Sequence, residues 1–150
     1  MQEYGRILLP VPNKLAVIIL NWRIINMDFK DQPFIPMLFG GDINTYSVAR
    51  AFYEEYQVKT YVFGKFPSGP SYNSNIIEYH ADLKIDTDDV FMKTVRDFAA
   101  AHADKTVLTI GCGDSYVALC SRHKDEMPEN VVAPYIDFEL MDRLQQKELF

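Results

Sequence analysis

The sequence predicts an α/β domain: a doubly wound, mainly parallel sheet of about five strands. Three observations carry that expectation. Short apolar runs alternate with helical periodicity from residue 34 onward, most of the runs end in glycine, and no linker or low-complexity stretch interrupts the alternation. The chain has 150 residues, 48% of them hydrophobic, 13% aromatic and 24% charged. That is enough for one sizeable core, and the aromatic content argues against disorder. A single domain is expected.

The elements follow in order. Phe34-Ile-Pro-Met-Leu-Phe39 is a strand that runs into Gly40-Gly41. From Asn44 to Tyr56, the apolar residues Val48, Ala49, Phe52 and Tyr56 fall at helical spacing. Val58-Lys-Thr-Tyr-Val-Phe63 is β-branched and aromatic and ends at Gly64, a second strand. Lys65 to Asn75 is rich in Pro, Gly, Ser and Asn and reads as the one long loop. Strand character resumes at Ile76-Ile-Glu-Tyr-His80 and Leu83-Lys-Ile85. Thr87 or Asp88 caps a helix through His102, with Phe91, Val95, Phe98 and Ala99 on one stripe. Thr106-Val-Leu-Thr-Ile110 is a strand closed by Gly111-Cys112-Gly113, and Asp114 opens a helix to about Lys124. Val131-Val-Ala133 is a short strand, and Asp137 caps a last helix with Leu140, Met141 and Leu144 inward. Apolar strands separated by amphipathic helices give a parallel sheet covered on both faces. With right-handed crossovers, the layer is Rossmann-like.

Charge and cysteine content exclude several classes. The formal charge is 15 − 21 = −6, which offers no basic footprint for nucleic acid or an anionic membrane. Cys112 and Cys120 form neither a disulfide framework nor a C-x-x-C metal pair, and a reducing cytoplasm fits them best. His80, His102 and His123 match no metal-ligand spacing, so no metal site is expected. The apolar run Leu15-Ala-Val-Ile-Ile-Leu20 is too short to span a bilayer, and Asn21-Trp-Arg-Ile-Ile25 makes a poor cleavage site. Residues 1–26 read as an extra strand-like segment or an irregular extension; alternatively, the native start is Met27. From Met27 the balance is 12 − 20 = −8, so the extension is basic, unlike residues 27–150. The chain stops inside or just after a helix and reads as the front piece of something longer. A homo-oligomer stays open.

Two turns share one plan. In Gly40-Gly41-Asp42 and Gly111-Cys112-Gly113-Asp114 a strand ends in glycines and an aspartate begins a helix. Glycine lets another molecule approach the backbone, and aspartate accepts from the free N–H groups of a first helical turn. Strand–Gly–Asp–helix is also simply a common way to enter a helix. Both turns sit at carboxyl ends of parallel strands, where open α/β sheets place ligands, and a 3-2-1-4 order would set them on either side of the crevice. The capping carboxylates would repel a phosphate, so a neutral or amino-bearing group suits the turns better. Neither turn satisfies G-x-G-x-x-G, and no P-loop is present. Val107 to Asp114 also resembles the first motif of S-adenosylmethionine-dependent methyltransferases, although Thr109 replaces the acidic residue and Ser115 the last glycine. Cys112 lacks the flanking pattern of a nucleophile elbow and reads as inert. The loop with Lys65, Ser71, Tyr72, Asn73, Ser74 and Asn75 is the remaining candidate.

Taken in order, Phe34 to Phe52, Gly64-Lys65 with Asn73-Ser-Asn-Ile76, Gly111-Cys-Gly-Asp-Ser-Tyr116 and Pro134-Tyr-Ile-Asp137 resemble the amino-terminal domain of bacterial ATP-grasp carboxylate–amine ligases, the D-aspartate ligase-like group. The likeness covers roughly residues 33–150. It implies a Rossmann-like domain, residues 27–150, standing before an ATP-grasp module that this chain lacks. In such enzymes Mg-ATP activates a carboxylate as an acyl phosphate, which an amine then attacks. The resemblance places ATP and Mg²⁺ in the later module. It leaves Gly41, Asp42, Asn44, Lys65, Asn73, Ser74, Asn75, Gly113, Asp114, Ser115 and Tyr116 as candidate walls of a cleft for a small carboxylate or amine substrate. No catalytic residue carries over, and the chain alone is not expected to turn over ATP. Two other readings stand beside it: a methyltransferase fragment, and a stand-alone small-ligand binding or partner-docking domain.

Overall fold

Strand β1, Phe34–Phe39, is buried along nearly its whole length and forms the middle of the sheet. Its Pro36 lacks an N–H, which a central strand usually cannot tolerate. Here the pairing with β2 (Thr60–Gly64) begins only at Met37, after the proline. On its other side β1 pairs along its full length with β4, Thr106–Gly111. Strand β3, Ile77–Ala81, flanks β2, and β5, Val131–Val132, flanks β4. The order is β3-β2-β1-β4-β5, every pair parallel. The computed structural model describes residues 28–145, so the readings made for residues 1–26 lie outside the described residues.

Helices cover both faces. On one, α3 (Asp88–Ala101) and α4 (Asp114–Arg122) lay Phe91, Met92, Val95, Phe98, Leu119 and Cys120 on Ile35, Met37, Phe39 and Val107. On the other, α1 (Ile43–Tyr56) brings Ala49 onto Leu38 and Val62. Alternation along β1 explains the split, because Met37 and Phe39 point one way and Leu38 the other. Each fully buried aliphatic or aromatic side chain contributes roughly 1.5–3 kcal/mol. The result is a single α/β domain with a doubly wound, Rossmann-like sheet, as the sequence predicts.

Five local expectations need correction. Leu83-Lys-Ile85 forms a turn after β3 and not a strand. The face of α1 is rotated: Thr45 and Ala49 are buried, Val48 and Phe52 are half-buried, and Tyr56 is exposed. Tyr56 instead sets its ring edge-on to Phe34, 5.2 Å away. The long loop contains a short helix, α2 (Gly69–Tyr72), started by Pro70. The N-cap of α4 is Gly113, and Asp114 is its first helical residue. In α5 (Phe138–Gln145) Met141 turns inward, whereas Leu140 and Leu144 face solvent.

Candidate functional site

A cleft of about 290 Å³ opens at the carboxyl ends of β1 and β2. Its walls are the Gly40-Gly41-Asp42 turn, Lys65 to Gly69 beyond β2, Tyr79 from β3 and Tyr116 from α4. Local chemistry accounts for each wall. Asp42 is the N-cap of α1: its Oδ1 accepts from the N–H groups of Asn44 and Thr45, both at 3.1 Å, and from the Thr45 hydroxyl. Its Oδ2 accepts from the Asn44 amide at 3.3 Å. The helix terminus is therefore already occupied by a carboxylate, as the sequence predicts for this turn. Lys65 donates to Asp86 Oδ2 at 2.6 Å. Ser71 donates to the Asp42 carbonyl at 3.1 Å and ties α2 to the turn.

The glycines turn out to serve neighbouring side chains more than a visiting ligand. A Cβ at Gly41 would stand 2.5 Å from the Tyr79 hydroxyl, and one at Gly64 would overlap the same hydroxyl and the Gly40 carbonyl oxygen. Tyr79 reaches between Gly41 and Gly64 and donates to the Phe66 carbonyl at 2.8 Å. Burial raises its hydroxyl above the ordinary tyrosine range, so it stays a donor. In the second turn, a Cβ at Gly111 would stand 2.6 Å from backbone atoms of α4. The Gly111 N–H donates to the Tyr135 hydroxyl at 2.7 Å. Each turn is thus braced by a tyrosine from a neighbouring segment. Gly113 has open space around it, the nearest atom to its Cβ position being a Tyr116 ring carbon at 4.0 Å.

Gly41, Asp42, Lys65 and Tyr116 come together around the cleft. Asn44 stands exposed beside Asp42, and Gly113, Asp114 and Ser115 are exposed at the end of β4 on the same edge. Asn73, Ser74 and Asn75 lie elsewhere: the adjoining Ile76 carbonyl accepts from the N–H of Thr60, the first residue of β2, which puts them at the opposite, amino edge. The Asn73 amide is used locally, on the Gly69 carbonyl. Sequence reasoning missed Tyr79, because a tyrosine in a strand carries no mark of its partners, and singled out Ser71 only as one of the loop residues, without its partner at the turn. The larger cavity, about 460 Å³, lies along Ser47, Val48, Ala51, Phe52, Glu55 and Tyr56 on the outside of α1 and holds none of the predicted site residues.

Burial pushes the Cys112 thiol up to about 11 and the Tyr116 hydroxyl up to about 12, so neither is a ready nucleophile or base at neutral pH. Among the described residues no group of three or more His, Cys, Asp or Glu is placed to hold a metal ion. Among them, too, no helix is long and apolar enough to cross a membrane.

Compared with known proteins, the chain is 36% identical over 124 residues to a D-aspartate ligase of Enterococcus faecium (strain Aus0004). It is a Rossmann-like domain related to ligases of the ATP-grasp superfamily. The match takes in 81% of this chain and 30% of the relative, so the chain spans under a third of that ligase's length. No family model and no solved structure matches it.

Proposed function

We propose that residues 27–150 are the amino-terminal domain of an ATP-dependent carboxylate–amine ligase, and that they shape its substrate cleft. The observation that carries this is the 36% identity over 124 residues to a D-aspartate ligase. In the proposed reaction a carboxylate takes the γ-phosphoryl group of Mg-ATP and ADP leaves. An amine then attacks the acyl phosphate, phosphate departs with the C–O bond electrons, and an amide forms. ATP and Mg²⁺ belong to an ATP-grasp module on which this domain packs, and the domain alone turns over no ATP. A cytoplasmic location fits the two free cysteines, Cys112 and Cys120.

Within this reading the substrate lies along Gly41, Asp42, Asn44, Lys65 and Tyr116, with Gly113, Asp114 and Ser115 on the same edge. Asn73, Ser74 and Asn75 fall outside it. The exposed carboxylates of Asp42 and Asp114 favour an amino-bearing or neutral portion of the substrate over a phosphate. D-Aspartate is the first acid to try. Purified full-length protein carrying this chain, supplied with Mg-ATP, D-aspartate and a peptide amine, should release ADP only when acid and amine are both present. ADP release independent of both, or none with any amino acid, would overturn the proposal.

A further inference from the structure

Tyr116 is only 9% exposed, and its ring packs into the core 6.1 Å from that of Phe39. The side chain still lines the cleft at the carboxyl ends of β1 and β2. Among the described residues its hydroxyl has no hydrogen-bond partner, and it is open to the cleft, unlike the fully enclosed Thr60 hydroxyl. The other two tyrosine hydroxyls at these turns are engaged, that of Tyr79 by the Phe66 carbonyl and that of Tyr135 by the Gly111 N–H. Buried polar side chains ordinarily find partners, so an unspent hydroxyl on a cleft wall points to something that enters the cleft. Burial first, then the charge of Asp86 and the Tyr79 hydroxyl, push the Tyr116 pKa up to about 12. At neutral pH the group is a hydrogen-bond donor.

Among the described residues lining the cleft, the cation is Lys65. Its Nζ donates to Asp86 Oδ2 at 2.6 Å, which uses one of its three donors. The two side chains are 38% and 32% exposed, so the pair is weak and the ammonium can take a second acceptor. A charged donor and a neutral donor lining one cleft suit an anionic oxygen acceptor. Asp42 and Asp86 disfavour a phosphate dianion there, and about 290 Å³ lies at the small end of ligand pockets. We infer that Lys65 and Tyr116 form a carboxylate subsite, the ammonium and the hydroxyl both donating to the α-carboxylate of an amino acid. Asp42 Oδ2, which accepts one hydrogen bond, remains for the α-amino group. The inference rests on the ligase reading and deepens it. The substrate is an amino acid held by its α-carboxylate and amine, and the carboxylate that becomes activated is a second one, on its side chain.

The test is calorimetric titration of full-length protein carrying this chain, without ATP, by D-aspartate and by its analogue with a carboxamide in place of the α-carboxylate. The parent should bind the acid at least about tenfold more tightly than the amide. Tyr116→Phe keeps the ring on Phe39, and Lys65→Met keeps the stem. Each should weaken the acid about tenfold or more, change the amide less than about twofold and leave Tm nearly unchanged. A merely structural role would weaken both ligands alike. Equal affinity for acid and amide in the parent, no binding of either, or variants that lose both alike would overturn the subsite. The ligase reading stands or falls separately. ADP release that needs both acid and amine supports it whatever the titrations give. No ADP release, beside D-aspartate binding that depends on Lys65 and Tyr116, would overturn the ligase reading and keep the subsite.

Discussion

The hydroxyl of Tyr79 fills the space beside Gly41 where any other residue would place its Cβ, 2.5 Å away. The strand-to-helix turn and the β3 tyrosine are therefore one unit. Gly41→Ala should cost about 1–3 kcal/mol by overpacking, and Tyr79→Phe about 1 kcal/mol by leaving the Phe66 carbonyl without its donor. In the double variant the ring carbons, at 3.5 and 3.6 Å, are ordinary neighbours of the new Cβ. Urea unfolding of the four proteins should show a double variant at least about 1 kcal/mol more stable than additivity gives. Strict additivity would mean the hydroxyl is not what excludes a Cβ. Gly64→Ala should not be rescued, since the Gly40 carbonyl oxygen still blocks it.

Thr60 is fully buried, and its hydroxyl has no hydrogen-bond partner among the described residues. Removing an unpartnered buried hydroxyl while keeping the side-chain shape relieves a desolvation cost. Thr60→Val should stabilise the domain by about 1 kcal/mol, read as an upward shift in Tm. A drop of similar size would reveal a partner for the hydroxyl.

Asn130 donates its side-chain amide to three carbonyls, those of Ala99, His102 and Lys105, at 3.0 to 3.3 Å. It closes the carbonyl end of α3, where helix geometry leaves acceptors without donors. Asn130→Asp turns the donor into a carboxylate facing three carbonyl oxygens. A loss of about 2 kcal/mol at neutral pH is expected, measured by denaturant titration. A neutral result would show that water serves those carbonyls equally well.

Asp88 opens α3 and holds α4 to it. Its carboxylate accepts from Arg122 at 2.8 Å and lies 2.6 Å from His123 Nε2. The hydrogen bond from Arg122, and then that from His123, keep its pKa below the ordinary carboxylate value. A lowered folded pKa contributes stability fully above the unfolded value, about 3.9, and loses it as pH falls through the folded value. The side chain is 50% exposed, so the contribution is screened to about 0.5 kcal/mol. Asp88→Asn should be less stable than the parent at pH 6, and the gap should close on acidification to pH 2. A gap that widens with acid would reverse the assignment.

The sheet was legible because its signals are local and repeated: Thr106 to Ile110 running into Gly111, or Phe91, Val95 and Phe98 at helical spacing. The cap at Asp42 was legible for the same reason. The partners of the glycines were not, since Tyr79 reaches Gly41 across 38 positions of sequence and Tyr135 reaches Gly111 across 24. Nothing in Asn73 to Asn75 marks which edge of the sheet they occupy, because the chain crosses between edges within the connection from Gly64 to Ile77 and no residue there signals where. Leu140 and Leu144 fit an inward stripe by spacing alone; the contacts show that only Met141 uses it.

Isothermal titration of the 150-residue chain with Mg-ATP weighs the division of labour between this domain and an ATP-grasp module. With Asp42 seated on the first turn of α1 and no phosphate loop in the sequence, no saturable heat is expected. Micromolar affinity for Mg-ATP would place the nucleotide in this domain and contradict the assignment of its cleft to substrate.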